Sequence, residues 1–310
     1  MKQSINLAGL WNISLWVTSL LGISLSVALP VRAQTVLRID PDTSSFENVE
    51  LTDGDVGVRI SYTHYQELAE SDDNNPGYNL SYQLVYQGEP QETIDNLTWL
   101  FAEFELWDLD SNGTEEIVVR NFSGGAHCCT NTTIYSWTAT GFTATETGHI
   151  DGMGAILEDL DGDGAAEVLI PDQAFLYRFG SYVESFPPMT ISAYQGGELV
   201  DITHQFPDRI RDQAETARET FLAVQADHGL TSNSMLASYV AQQALLDEDF
   251  EAAWQFMLDS YNPDSTWGLE IHEDGEKVGY HSDFPAALRA FLIETGYLNR
   301  DGQPIGQSET

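Results

Sequence analysis

Positive charge is scarce in this chain: twelve lysines and arginines face 49 aspartates and glutamates, a formal charge of −37. So negative a surface repels nucleic acid and anionic lipid, and neither is expected as a partner. Long apolar runs are missing beyond the first 33 residues, where no stretch approaches the roughly 18 apolar residues that a membrane-crossing helix needs. Enzyme signatures are missing as well. The seven histidines, at 64, 127, 149, 204, 228, 272 and 281, form no His-Glu-x-x-His pair. No Gly-x-Ser-x-Gly, phosphate loop or dinucleotide fingerprint accompanies them. The missing motifs and scattered histidines lean the expectation away from an enzyme, while a paired-carboxylate glycosidase site stays open, the carboxylates being too abundant for a pair to be singled out.

What is present begins with a leader. Lys2 starts it, an apolar run follows from Leu15 to Leu29, and Val31-Arg32-Ala33 offers small residues where a signal peptidase reads. Residues 1–33 are therefore expected to be a signal peptide, with the product secreted or periplasmic and not inserted in a membrane after cleavage. Loss of Lys2 and Arg32 leaves ten basic residues against 49 acidic ones, a charge of −39, and Lys277 as the remaining lysine. Such self-repulsion is relieved by bound cations.

The remaining length suggests two parts. Up to Pro207 the chain alternates in short runs such as Val56–Tyr62, Leu80–Tyr86, Glu116–Arg120 and Thr133–Trp137, which read as strands at hairpin spacing. Beyond it, Asp208–Asp227, Ser234–Leu246, Phe250–Leu258 and Phe284–Tyr297 carry helical periodicity. The expected division is a β region over 34–205, a helical region over 206–300 and a disordered tail over 301–310.

Two segments of the β region share one pattern. Asp108-Leu-Asp110-Ser-Asn112-Gly113-Thr114-Glu-Glu116 and Asp159-Leu-Asp161-Gly-Asp163-Gly-Ala165-Ala-Glu167 place oxygen-bearing side chains at positions 1, 3, 5 and 9 and glycine at position 6. Carboxylates so spaced wrap a hard cation, the glycine lets the backbone turn, and the position-7 carbonyl can point inward. An EF-hand would need a bidentate glutamate at position 12, where Val119 and Ile170 stand, so it is excluded. The plain alternative is a pair of hairpin turns in an acidic protein. Against it, four clustered oxygens at the same offsets in both copies would repel one another without an ion. The loops lie 51 residues apart, and flanking strands repeat with them. Leu84-Val-Tyr matches Ile134-Tyr-Ser, and Glu116-Ile-Val-Val matches Glu167-Val-Leu-Ile. A partial third unit is expected from Thr190 to Val200, and units of this kind are propeller blades.

The motif Asp-x-Asp-x-[Asp/Asn]-Gly-x-x-Glu before a Val/Ile strand resembles the calcium loop of FG-GAP and VCBS repeats of integrin-alpha-like propellers and exported bacterial proteins, over roughly residues 80 to 200. The resemblance implies a mainly β fold of blade repeats, a partial or irregular β-propeller, followed here by a small helical bundle. It implies two calcium sites, the second the better furnished. The ligands would be Asp108, Asp110, Asn112 and Glu116 with the Thr114 carbonyl, and Asp159, Asp161, Asp163 and Glu167 with the Ala165 carbonyl.

Cys128 and Cys129, adjacent to His127, are the remaining motif. Oxidising surroundings favour a vicinal disulfide, and two inert thiols stay as the alternative. A metal site from His127 with both thiols is disfavoured, because adjacent side chains in a strand point to opposite faces. The aromatic residues Trp99, Trp107, Trp137, Tyr82, Tyr86 and Tyr135 are expected mainly in the core, with any exposed ones free to meet a sugar or a peptide. The sequence thus describes an exported calcium-binding scaffold for an unknown protein or carbohydrate, and as a second reading a hydrolase or thiol-redox enzyme centred on His127, Cys128 and Cys129.

Overall fold

Apolar residues alternate along the N-terminal strands and, in the middle of the β region, run unbroken. That difference dictates how the sheets stack. The computed structural model describes residues 35–70, 77–125, 128–246 and 249–305, all within one compact unit, Ala33–Thr310. The expected signal peptide lies outside the described residues, as do His127 and the tail beyond 305.

Strand β1 (Thr35–Ile39) leads into β2 (Phe46–Asp53), β3 (Val56–Tyr62), the short helix α1 (Tyr65–Glu70), β4 (Leu80–Tyr86) and β5 (Glu89–Asn96). Then come β6 (Ala102–Trp107), β7 (Glu116–Phe122), β8 (Thr130–Thr138) and β9 (Gly141–Ile150). The β part closes with β10 (Ile156–Glu158), β11 (Glu167–Pro171), β12 (Met189–Gln195) and β13 (Glu198–Asp201). These strands form three antiparallel sheets in the orders β2-β3-β4-β5, β1-β6-β7-β8-β9 and β10-β11-β12-β13. The inner strands of the middle sheet are buried on both faces. Ile117, Val119 and Tyr135 pack with Val58, Ile60 and Leu84 of the first sheet, while Val118 and Ile134 pack with Val168 and Tyr194 of the third. Burial on two sides explains why β7 reads Ile-Val-Val without a polar interruption.

Among the described residues the three sheets close no ring. One expectation changes here: the strand-turn-strand at 190–200 starts no third unit, because β12 pairs with β11 and completes the sheet opened by the second acidic loop.

The C-terminal part holds α2 (Pro207–His228), α3 (Asn233–Leu246), α4 (Phe250–Ser260) and α5 (Phe284–Glu294). Pro207 opens α2, where its missing N–H costs nothing, and Gly229 ends it at φ 64°. The buried residues Ile210, Ala214, Ala217 and Phe221 lie on one face. The Asp283 carboxylate accepts from the Ala286 N–H at 2.9 Å and caps α5. The 206–300 region is not helical throughout, since β14 (Glu270–Glu273) and β15 (Glu276–Tyr280) form a hairpin inside it. Its core also borrows from the β part: the Phe175 ring meets Phe291 and Tyr297, and Phe179 meets Phe284 and Phe291, all edge-on. Residues 301–305, expected in a loose tail, are tied back, with Asn299 N–H donating to the Gln303 carbonyl and Arg289 to that of Gly302. Among the described residues no helix is long and apolar enough to cross a membrane.

Candidate functional site

The acidic segments form the turns between β6 and β7 and between β10 and β11. Each is closed by a cross-strand pair, Trp107 with Glu116 and Glu158 with Glu167, so both hold eight residues in the same register. Four hydrogen bonds recur at the same positions in both, while the second oxygen of position 1 accepts from Asn112 in the first loop and from Gly162 in the second. Position 1 accepts from the position-6 N–H, Asp108 from Gly113 at 2.9 Å and Asp159 from Gly164 at 3.1 Å. Position 3 accepts from position 5, Asp110 from Asn112 at 3.2 Å and Asp161 from Asp163 at 3.0 Å. Position 5 accepts from position 7, Asn112 from Thr114 and Asp163 from Ala165, both at 2.8 Å. The position-9 glutamates turn back to the position-2 N–H, Glu116 to Leu109 and Glu167 to Leu160, both at 2.8 Å.

Carboxylate oxygens of Asp108, Asp110 and Glu116 come within 4.8 Å of one another, and so do those of Asp159, Asp161 and Asp163. Glu167 is buried at the base of its loop and does not join that close set. Burial pushes the Glu116 carboxyl up to about 7, against the Leu109 N–H, and the negative charges of Asp110 and Asp108 push the same way. Burial raises Glu167 too, with Asp161 and Asp163 adding to it. A buried carboxylate beside others calls for a proton or a cation. The Trp107 indole N–H donates to the Gly164 carbonyl at 2.9 Å and ties the first loop to the second.

Position 4 has a left-handed backbone in both loops, Ser111 at φ 55° and Gly162 at φ 79°. Glycine adopts it freely and serine does not. Gly162→Ala is expected to lose about 1 kcal/mol in urea unfolding, and Ser111→Gly to gain roughly 0.5 kcal/mol.

Cys128 and Cys129 are joined as a vicinal disulfide, both half-buried, and the Cys129 carbonyl accepts from the N–H and hydroxyl of Ser123. Of the aromatics, Tyr82 and Tyr135 are buried with their hydroxyls 2.9 Å apart, Tyr86 stacks on Trp137 at 3.8 Å, and Trp99 stays exposed.

Among known proteins, the chain is 30% identical over 292 residues to the probable thylakoid lumen protein sll0997 of Synechocystis sp., covering 86% of this chain and 84% of that protein. The chain belongs to the sll0997 family. Residues 210–296 match the sll0997 C-terminal domain. Uncharacterized protein y4bJ of Sinorhizobium fredii is 33% identical over 256 residues, which is 78% of this chain and 39% of y4bJ. No solved structure matches. The domain shared with sll0997 carries the β14–β15 hairpin and Trp267, which with Tyr177 and Arg178 line a cleft that the sequence reading missed. The Trp267-Gly268 step after the turn-forming Asn262-Pro-Asp264 was the available sign.

Proposed function

We propose that this chain is an exported, non-catalytic binding or scaffold protein that holds calcium in two FG-GAP/VCBS-like loops. One observation carries the reading: two turns of the same register, sharing four hydrogen bonds, each gather three carboxylates, and each buries a glutamate that burial disfavours as an anion. A divalent ion removes that penalty and cross-links the entering and leaving strands of each turn. Asp108, Asp110 and Glu116 would hold one ion with Asn112 and the Thr114 carbonyl. Asp159, Asp161 and Asp163 would hold the other, with the Ala165 carbonyl and with Glu167 bracing the loop. The three four-strand meanders in series, β2–β5, β6–β9 and β10–β13, fit an open array of blade-like units.

Export is supported by the apolar leader, and a thylakoid lumen address, which the name of sll0997 gives that protein, is likewise reached by crossing a membrane. Isothermal titration of calcium into the chelated chain from residue 34 onward tests the reading. Two binding events are expected, with Asp108→Asn abolishing that of the first loop and Asp159→Asn that of the second; no uptake near neutral pH removes the basis of the proposal.

A further inference from the structure

Three aromatic side chains that no core uses surround a cleft of about 570 Å³. Tyr177, Trp267 and Tyr280 are 48, 47 and 62% exposed. Their placement is built from both halves of the chain. Asn262 starts a turn in which its side chain accepts from the Asp264 N–H at 3.0 Å, and the chain then doubles back until the His281 N–H reaches the Leu269 carbonyl at 2.8 Å. Gly268, at φ 73°, lies against the Arg178 carbonyl and the Phe179 ring so closely that a Cβ would sit 2.6 Å from each. That contact sets Trp267 beside Tyr177 and Arg178. Tyr177 itself is held in a left-handed backbone, φ 58°, a costly state for a bulky residue; its N–H donates to the Ser185 hydroxyl at 3.0 Å.

The polar rim has a specific character. Arg178 lies over the rings of Phe291 and Phe179, at 5.2 and 5.7 Å, and no ion pair of its guanidinium occurs among the described residues. Its Nε–H is buried with no acceptor, in a chain where acidic groups are plentiful. Glu270 is already countered by Lys277 at 3.3 Å and faced by His272 at 3.6 Å. Lys277 also covers the Tyr280 ring at 5.1 Å. A cationic ligand meets Arg178 and Lys277, and an apolar segment leaves this rim unsatisfied. A flat polyhydroxylated ring suits both parts: its C–H face lies on an indole, and its rim oxygens accept from the terminal N–H groups of a guanidinium.

We propose that this cleft binds an oligosaccharide, with one sugar ring stacked on Trp267 and its rim oxygens held by Arg178 and His272. The inference rests on the reading of the chain as a binding protein and gives that role a ligand; it needs calcium in neither loop. Cellohexaose and tri-galacturonate, titrated separately into the chain from residue 34 onward in calcium and in chelator, test it by calorimetry and tryptophan emission. Saturable binding of at least one is expected. Preference for the galacturonate assigns Arg178 a carboxylate, and preference for cellohexaose assigns it hydroxyls. Trp267→Ala is expected to weaken binding about tenfold or more, Tyr177→Ala to weaken it as well, and Trp267→Phe, which keeps a ring should the alanine variant fail to fold, to retain most of it. Trp99→Ala, at an exposed indole outside the cleft, is expected to change nothing. Absence of binding by both sugars, or equal losses in Trp99→Ala and Trp267→Ala, overturns the proposal. A chain that takes up calcium and no sugar sinks this inference alone, and one that takes up sugar and no calcium sinks the earlier reading alone.

Discussion

Saturating calcium raises the thermal midpoint of the chelated chain by on the order of 10 °C. The estimate follows from linkage. An ion present at a hundred times its dissociation constant stabilises the folded state by about 2.7 kcal/mol per site, and two sites add to about 5 kcal/mol. In a domain of this size each kcal/mol moves the midpoint by roughly 2–4 °C. The position-3 aspartate of the second loop makes the test specific. Asp161 is exposed, and the hydrogen bond it accepts, from the Asp163 N–H, stays within its own loop. Asp161→Asn is therefore expected to forfeit about half of the calcium shift, while in chelator it melts no lower than the parent, because it also removes a repulsive charge. Equal midpoints for the parent in calcium and in chelator would show that the two turns stand without an ion.

Replacing Arg120 by methionine is expected to cost about 3–5 kcal/mol at pH 8, and clearly less at pH 5. Arg120 projects from β7 between Glu103 and Glu105 of β6, pairs with both, and donates to the Ala155 carbonyl at 3.1 Å. Arg38, from β1, adds a second, largely exposed pair to Glu103. Burial holds the Glu105 carboxyl up at about 7, against the pull of Arg120. A carboxyl whose folded value lies above its unfolded one stabilises most below the unfolded value, and that contribution is lost as pH rises through the folded value, here between about 4.5 and 7. Without Arg120 the raised value climbs further, so the deficit widens toward alkaline pH. Urea unfolding at both pH values in chelator, which keeps calcium release out of the comparison, measures it. A deficit independent of pH would mean that the loss is one of packing and not of counter-charge.

Much of this was legible in the residues. Strands β3 and β4 fall where alternation placed them, because each buries one face and shows the other. The helices α2 to α4 follow their apolar spacing to within two residues at either end. Helix α5 stops at Glu294 instead of Tyr297, since Gly296 takes a left-handed turn and sends Tyr297 back to donate to the Leu292 carbonyl. The acidic loops were legible through their spacing, yet their place within the sheets was not. Antiparallel strands pair by register across a turn, so whether a hairpin belongs before or after a loop depends on hydrogen bonds that a linear repeat does not encode. The β14–β15 hairpin escaped for a related reason. Its residues Glu270-Ile-His-Glu273 and Glu276-Lys-Val-Gly-Tyr280 are polar on both faces, as suits a two-stranded ribbon over a cleft. The cleft joins residues far apart in the chain, Tyr177 with Trp267 and Tyr280, and the close approach of Gly268 to Arg178 and Phe179 helps bring them together.

The central strands of the middle sheet, β6 and β7, have no face turned to solvent. Val118 leans on one neighbour and Ile117 and Val119 on the other, so cutting away either flanking sheet would bare a wall of aliphatic side chains. The array is thus indivisible: unlike modules strung on linkers, these sheets cannot be lent out one at a time, and any descendant of this chain must keep or lose them together.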